Sequence, residues 1–396
     1  MGSVNPFDYD RQNTPFDNGK TTSTALILGN GQHDVGIVGK GTIDGQGKEL
    51  AANIGELVKK GLVKDKSPSR PDEDKRPMIL NLFGCDKVTV TGINLKNSAC
   101  WVECYNQCKN VNVDSIHVQS QAFWNNDGID IVDCNNFKVS NSYFDCNDDG
   151  ICLKSLNENV LNQHIRILNN DIASGASGIK FGTASHGGFS DIRIRNNKVH
   201  DTYRSALALE AVDGAVIENI VVDSLQGINV GNGIFLRLGA RMGDRKCRLE
   251  NVSIQNVSVE IREEKKPRIV APAIIIAGLP GQFIANVTLK NITVKFPGGA
   301  DLSTKVNLDN MNTIPEKPNS YPEFSMFGDL PSWGVYIRHA KGIQFTALSL
   351  QTVNNDARTA IVLDDAHQVG FKKLKVNEPG RKKKLYSYNS TDIIVR

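Results

Sequence analysis

Apolar residues recur along this chain in short runs of period two, at spacings that repeat. From Arg76 onward the unit reads apolar-x-apolar-x-x-apolar-x-apolar: Val88, Val90, Ile93, Leu95, then Val111, Val113, Ile116, Val118, then Phe137 and Val139. The phase returns at Ile165, Ile192, Ile217, Val252, Val287, Ile343 and Val369, first at intervals of 23 to 28 residues, then at 35, 35 and 56, and last at 26. Alternation predicts strands, because successive strand side chains point to opposite faces. A repeat of this length with no helical segment between the strands predicts stacked parallel coils. The leucine-rich-repeat signature is absent, and the Asn-Gly and Asp-Gly pairs open strands instead of closing the hairpins that a sandwich or propeller needs. The expected fold is all-β, a single right-handed parallel β-helix (solenoid) of about ten coils forming one domain over residues 1–396.

One strand of each coil aligns on an inward apolar pair: Ile129/Ile131, Ile151/Leu153, Ile179/Phe181, Leu207/Leu209 and Ile234/Leu236. The residues between these pairs then form outward columns. One is Asp130, Cys152, Lys180, Ala208, Phe235, and the next is Val132, Lys154, Gly182, Glu210, Arg237. Just ahead of the strand stand Asp127, Asp149, Ser177, Ser205, Asn232, and beside them Asn126, Asp148, Ala176, Arg204, Gly231. Asp127 and Asp149 are thereby stacked about 4.8 Å apart, with Asp148 adjacent. Turn chemistry explains one Asp-Gly pair but not the extra acid, and three close carboxylates are what general acid/base chemistry on a sugar bond requires. Lys180, Arg204 and Arg237 make the groove basic beside its acidic point, a layout suited to a glycan that carries carboxylates. Taken singly, Lys154, Lys180 and Glu210 also read as surface ion pairs. Trp124 and Trp101 precede the acids, where a sugar ring would stack, although Trp101 reads better as core. His186, in a Gly-rich loop after the Lys180 strand, is within reach of the groove or is simply a solvated loop histidine.

The remaining features narrow this picture. Residues 5–20 are polar and turn-rich, Ala25 to Gly47 hold the first strands, and Leu50 to Leu62 form a short amphipathic stretch ahead of a charged loop. The Gly-x-Gly pairs in the opening strands are not read as a dinucleotide site, because a phosphate loop needs a helix opening directly after the glycines and none is expected here. A net charge of +3 gives no support to a nucleic-acid partner. The basic runs at Lys372 to Lys375 and Arg381 to Lys384 read as a solvated end. No apolar run is long enough to span a membrane, and no secretion signal stands at the N-terminus, where Met1-Gly2-Ser3 is compatible with a removed one. Of the eight cysteines, Cys85, Cys108 and Cys134 each stand three residues before the first apolar residue of a repeat. That phase predicts a stacked column of buried free thiols in preference to disulfides, and so only a weak signal of compartment.

NNDGID, CNDDGICLK, the SGIKFG strand and the KGTIDGQG opening resemble glycoside hydrolase family 28, the polygalacturonase-like enzymes that degrade pectin. The resemblance extends through Arg76 to Trp101 and Leu330 to Ile343. It implies a β-helix hydrolase that inverts configuration without metal or cofactor. Its substrate would be an acidic plant cell-wall glycan, and it would act as a secreted or periplasmic monomer. By position, Asp148 is implied as the general acid, and Asp127 with Asp149 as the groups that position and deprotonate water. Inverting enzymes usually hold acid and base about 6.5 to 9.5 Å apart, and the separation that matters here is from Asp148 to the shared base. The family's Gly-His-Gly falls on Ala176-Ser177-Gly178, and its Arg-Ile-Lys on Phe235-Leu236-Arg237. These departures imply a pectic substrate other than uniform polygalacturonate, with rhamnogalacturonan-type linkages as one option. The family's N-terminal coils and cap are expected to be missing.

Two other classes compete. A lyase or uronate epimerase on the same solenoid would use a Lys or Arg base such as Lys180 or Arg204, with Ca²⁺. A non-catalytic glycan-binding β-helix would release no product. Exo action would need a blocked groove, which the insertions from Glu260 to Pro272 and Gly298 to Pro331 are long enough to supply.

Overall fold

A computed structural model describes residues 1–15, 22–263, 271–300, 308–379 and 384–396. The insertions named above, and the basic run from Arg381 to Lys384, lie partly outside the described residues. The chain is all-β, with its strands stacked in three parallel ladders. The ladder that bears the acids runs through Thr22–Asn30, Met78–Phe83, Glu103–Asn106, Ile129–Val132, Ile151–Ser155 and Ile179–Ser185. It continues through the later strands to Leu385–Tyr388. A second ladder holds Val88, Val111, Phe137 and Ile165 in register, and a third holds Leu95, Val118, Phe144 and Ile172. The long strand Gly188–Ala211 contributes to all three in turn.

The predicted register is observed. Asp130 pairs with Cys152, Cys152 with Lys180, Lys180 with Ala208, and Ala208 with Phe235. Their inward neighbours enter one continuous apolar core that extends from Ile79 to Phe371. Asparagines explain how the coils turn. Asn110, Asn136 and Asn219 share an extra, unpaired position in the second ladder with φ of 54°, 58° and 57°, a left-handed conformation that Asn tolerates and β-branched residues resist. The side chains of Asn110 and Asn136 stack from coil to coil, Asn136 Nδ2 donating to Asn110 Oδ1 at 2.7 Å and Asn110 Nδ2 to Asp86 Oδ1 at 2.7 Å.

All eight cysteines are free and buried. The thiols of Cys108 and Cys134 each point at a carbonyl of the preceding coil, Leu82 O at 3.4 Å and Tyr105 O at 3.2 Å. The amphipathic stretch is a helix, Gly47–Lys59, that buries Leu50, Ala51 and Ile54 and packs on Tyr9 and Ala99. It is thus docked on the first coils and opens directly after Gly45-Gln46, where no helix was expected; the glycine there serves close packing, since a Cβ on Gly47 would collide with Ser98 O. No helix among the described residues is long and apolar enough to cross a membrane.

One inward position carries an acid. Glu103 pairs with Leu80 and Ile129, is fully buried, and accepts from Tyr105 Oη at 2.7 Å. Burial pushes its carboxyl up to about 8, so it is folded in its neutral form. An acid raised in the folded state contributes most below its unfolded value, and that contribution is lost as pH rises toward the folded value. Glu103→Gln, which keeps the bond from Tyr105 without the ionisation, is expected to remove on the order of a few kcal/mol of pH dependence. Its thermal midpoint should therefore fall less than the wild type's between pH 5 and pH 8, and equal slopes would contradict this account.

Candidate active site

Outward residues of the acid-bearing ladder are themselves buried through its middle, from Asp130 to Glu210, and the partly exposed groups stand in the turns ahead of it. Over the early coils, Ala25, Met78, Cys100, Trp101, Cys104 and Val132 form a covered apolar cluster. Over the late coils, Met311, Ile314, Met326, Phe327 and Leu330 pack onto Ala208, Phe235, Ile275, Tyr336 and Val362. Between these covers, the turns ahead of the strands carry the acids.

The local structure explains why the acids sit there. Asn126 is fully buried. Its Oδ1 accepts from Ser120 Oγ and Phe123 N, and its Nδ2 donates to Ser98 O and Cys100 O, which fixes the turn that presents Asp127. The glycine after each acid is required by close approach and not by turn geometry. A Cβ on Gly128 would lie 2.6 Å from Gly150 O, and one on Gly150 would lie 2.8 Å from Gly178 O. Side chains there would force the coils apart.

Asp149 is buried and both its oxygens are engaged. Oδ1 accepts from Ser177 N at 2.9 Å and Oδ2 from Lys180 Nζ at 2.9 Å. Burial opposes its ionisation, but Lys180, Lys154 and Arg204 outweigh burial and hold it below the usual carboxylate range. Asp148 is half-buried. Burial, and then the charge of Asp149, push it above that range, against the pull of Lys180 and Arg204. Asp127 is 3% exposed and is pushed well up by burial, which outweighs Lys154. Neighbouring carboxyls with opposed tendencies can divide proton donation and proton acceptance between them.

Lys154 stands between two carboxylates, its Nζ 3.1 Å from Asp127 Oδ2 and 3.0 Å from Asp130 Oδ1, and 4.2 Å from the centre of the Trp101 ring. Asp127, Asp130 and Cys152 have a spacing that could hold a metal, but the Lys154 ammonium already supplies the positive charge at two of those three groups. Lys154 was legible in the sequence only as a surface ion pair.

The expected binding residues divide into two groups. Lys180 and Arg204 lie beside the acids. The Arg204 backbone N donates to Ala176 O at 2.7 Å, and its Nε lies 3.3 Å from Glu323 Oε2. Trp124 is 53% exposed, with Arg70 4.7 Å over its ring. Phe235 and Arg237, by contrast, are fully buried under the 308–331 segment. Arg237 donates to Gly278 O at 3.0 Å and to Glu316 O at 2.6 Å, with Phe327 over its guanidinium. Neither presents a surface to the groove, because an insertion that no coil periodicity could place covers them. His186 stands past Ser185, at the end of the strand away from the acids, with its backbone N bonded to Ser155 O and its carbonyl to Arg245. The structure does not bring it to the trio. The sequence reading missed Tyr321, whose hydroxyl accepts from Lys180 Nζ at 2.9 Å and from Arg204 at 3.3 Å. It also missed the burial of Glu210, whose carboxyl is pushed up to about 8 by its loss of solvent.

A family model, glycosyl hydrolases family 28, matches residues 11–314. Among curated proteins, the probable exopolygalacturonase B of Emericella nidulans is 24% identical over 58% of this chain and 45% of its own length. Exopolygalacturonase B of Aspergillus niger is 21% identical over the same shares. The chain thus spans less than half the length of these relatives. Among solved structures, a Yersinia enterocolitica family 28 exopolygalacturonase superposes with a TM-score of 0.70 at 16% identity, over 99% of this chain and 66% of the other. A Thermotoga maritima exopolygalacturonase superposes with a TM-score of 0.62 at 21% identity, over 74% of this chain and 73% of the other. At these identities the superpositions establish a shared fold.

Proposed function

Because the chain belongs to glycosyl hydrolases family 28, we propose that it hydrolyses a glycosidic bond in a galacturonate-containing, pectic glycan by an inverting acid/base mechanism. The observation that carries this reading is the placement of two adjacent carboxyls, Asp149 buried and bonded to Lys180 Nζ and Ser177 N at 2.9 Å each, and Asp148 half-buried beside it at the groove, an arrangement that holds the first down and the second up. In the proposed cycle Asp148 gives its proton to the glycosidic oxygen as the bond to the anomeric carbon breaks. A water held by Asp127 and Asp149 attacks that carbon from the opposite face and passes its proton to Asp149. Lys180, bonded to Asp149, keeps the acceptor ionised beforehand, and Lys154 holds Asp127. The chemistry calls on no group beyond these side chains and water.

The reading extends to the fold and to the mode of action. The coils are those of a single right-handed β-helix domain. Cleavage is taken to be exo, supported by the covers over both the early and the late coils and by the relatives named exopolygalacturonases. The substrate is taken to differ from uniform polygalacturonate, since Arg237 is spent on backbone carbonyls and no histidine stands at Ser177. A lyase or epimerase fits less well. Lys180 would have to be neutral to act as a base, whereas Asp149 and its other neighbours raise it well above the ordinary lysine value despite its burial.

A panel of pectic oligosaccharides, followed by reducing ends, product size and anomeric configuration, tests all of this at once. Release of a single small product in inverted configuration is the expected outcome. An unsaturated product, a retained anomer or a ladder of sizes would overturn the lyase exclusion, the inversion or the exo mode respectively.

A further inference from the structure

Tyr321 reaches the acids from outside the coils, on the segment that seals the late part of the ladder. A phenol oxygen has two lone pairs and one hydrogen. Lys180 Nζ donates to the Tyr321 oxygen at 2.9 Å and Arg204 Nη1 at 3.3 Å, so both acceptor positions are taken by cations. The hydrogen has no acceptor among the described residues, and the side chain is 49% exposed. Its oxygen is thereby held between two cations, which leaves its one hydrogen for a group outside the protein. Two charged donors on the same oxygen polarise the O–H bond and make it a better donor.

The neighbouring cations are also matched within the protein. Lys180 faces Asp149 at 2.9 Å and Arg204 faces Glu323 at 3.3 Å. A sugar carboxylate placed here would compete with Asp149 for Lys180, the contact that keeps the acceptor carboxylate ionised. A hydroxyl would accept the Tyr321 hydrogen and leave the ion pairs intact. We propose that Tyr321 is a substrate-binding residue that donates to a sugar hydroxyl beside the acids, and that its subsite takes an uncharged sugar in preference to a uronate. This inference rests on the hydrolase reading above and names the sugar class at one of its subsites.

The test compares the wild type, Tyr321→Phe and Asp148→Asn on trigalacturonides in which one residue at a time has its carboxyl reduced to a primary alcohol. Reduction at one position is expected to leave kcat/KM unchanged or raise it, while reduction elsewhere lowers it. On that favoured substrate Tyr321→Phe should lose about tenfold in kcat/KM, carried by KM, as suits one neutral hydrogen bond. Its pH profile should not move, and its melting temperature should fall by about a few degrees at most, the cost of the bonds that the hydroxyl accepts from Lys180 and Arg204. The inference is overturned if reduction at every position is harmful, if Tyr321→Phe keeps full kcat/KM, or if its loss is confined to kcat with a displaced pH profile. That last pattern would mean Tyr321 acts only through Lys180. Normal turnover by Asp148→Asn would instead remove the hydrolase reading itself, so the two failures are distinguishable.

Discussion

Asn in place of Asp148 is expected to lower kcat by about 10²- to 10⁴-fold, the usual worth of a positioned proton donor, with a melting temperature at neutral pH that is equal or higher, because a carboxyl raised by burial and by Asp149 is removed. The side chain is half-buried at the groove, and its substitution leaves untouched the backbone bond that its carbonyl accepts from Ser174 Oγ at 2.6 Å. In the wild type the reactive form needs Asp148 protonated and Asp149 ionised. Activity should therefore rise as pH climbs through the depressed value of Asp149 and fall as it climbs through the elevated value of Asp148. Asp148→Asn should lose the falling limb. A substrate with an activated leaving group, which departs without a proton, should recover most of the rate. Full activity on a natural linkage would mean that Asp148 is not the acid.

The largest stability effect is expected at Lys154. Its ammonium lies about equally close to Asp127 and Asp130, all three side chains being almost fully buried. Removing one partner from a buried charge cluster leaves the others uncompensated, at a cost of about 3–5 kcal/mol. Lys154→Met preserves the stem and its contact with Trp101, so the loss isolates the charge. Without the cation the carboxyls resist ionisation further. The penalty should therefore be greatest at neutral and alkaline pH and shrink in acid, where unfolded carboxylates also take up protons. Chemical denaturation at two pH values measures it, and a penalty that is equal at both, or absent, would show that the cluster is held together in another way.

The vertical register was legible in the sequence because inward Ile and Leu pairs recur with strand alternation, and a one-residue slip would turn every one of them outward. That constraint was enough to set Asp127, Asp148 and Asp149 at one place and to put Lys180 and Arg204 beside them. It says nothing about what lies on top of an outward column. Phe235 and Arg237 were correctly read as outward, yet Met311, Ile314 and Phe327 arrive from an aperiodic segment and bury them. Tyr321 is invisible for the same reason, since nothing in NSYPEF announces a bond to a lysine far behind it in the chain. Glu103 escaped notice because the Glu103–Asn106 strand lacks the apolar pair used for alignment. Only the pairing with Leu80 and Ile129 reveals that a carboxyl faces inward.

The asparagine stacks join several successive turns of the ribbon through side-chain amides, and each turn pairs with the next in parallel, so neighbouring turns are interchangeable building units in a way that sheets with hairpins are not. Duplicating a whole turn beyond the groove would lengthen the molecule and leave its chemistry alone. The same duplication between Val132 and Asp148 would pull the proton donor one storey away from Asp127 and silence the protein without unfolding it.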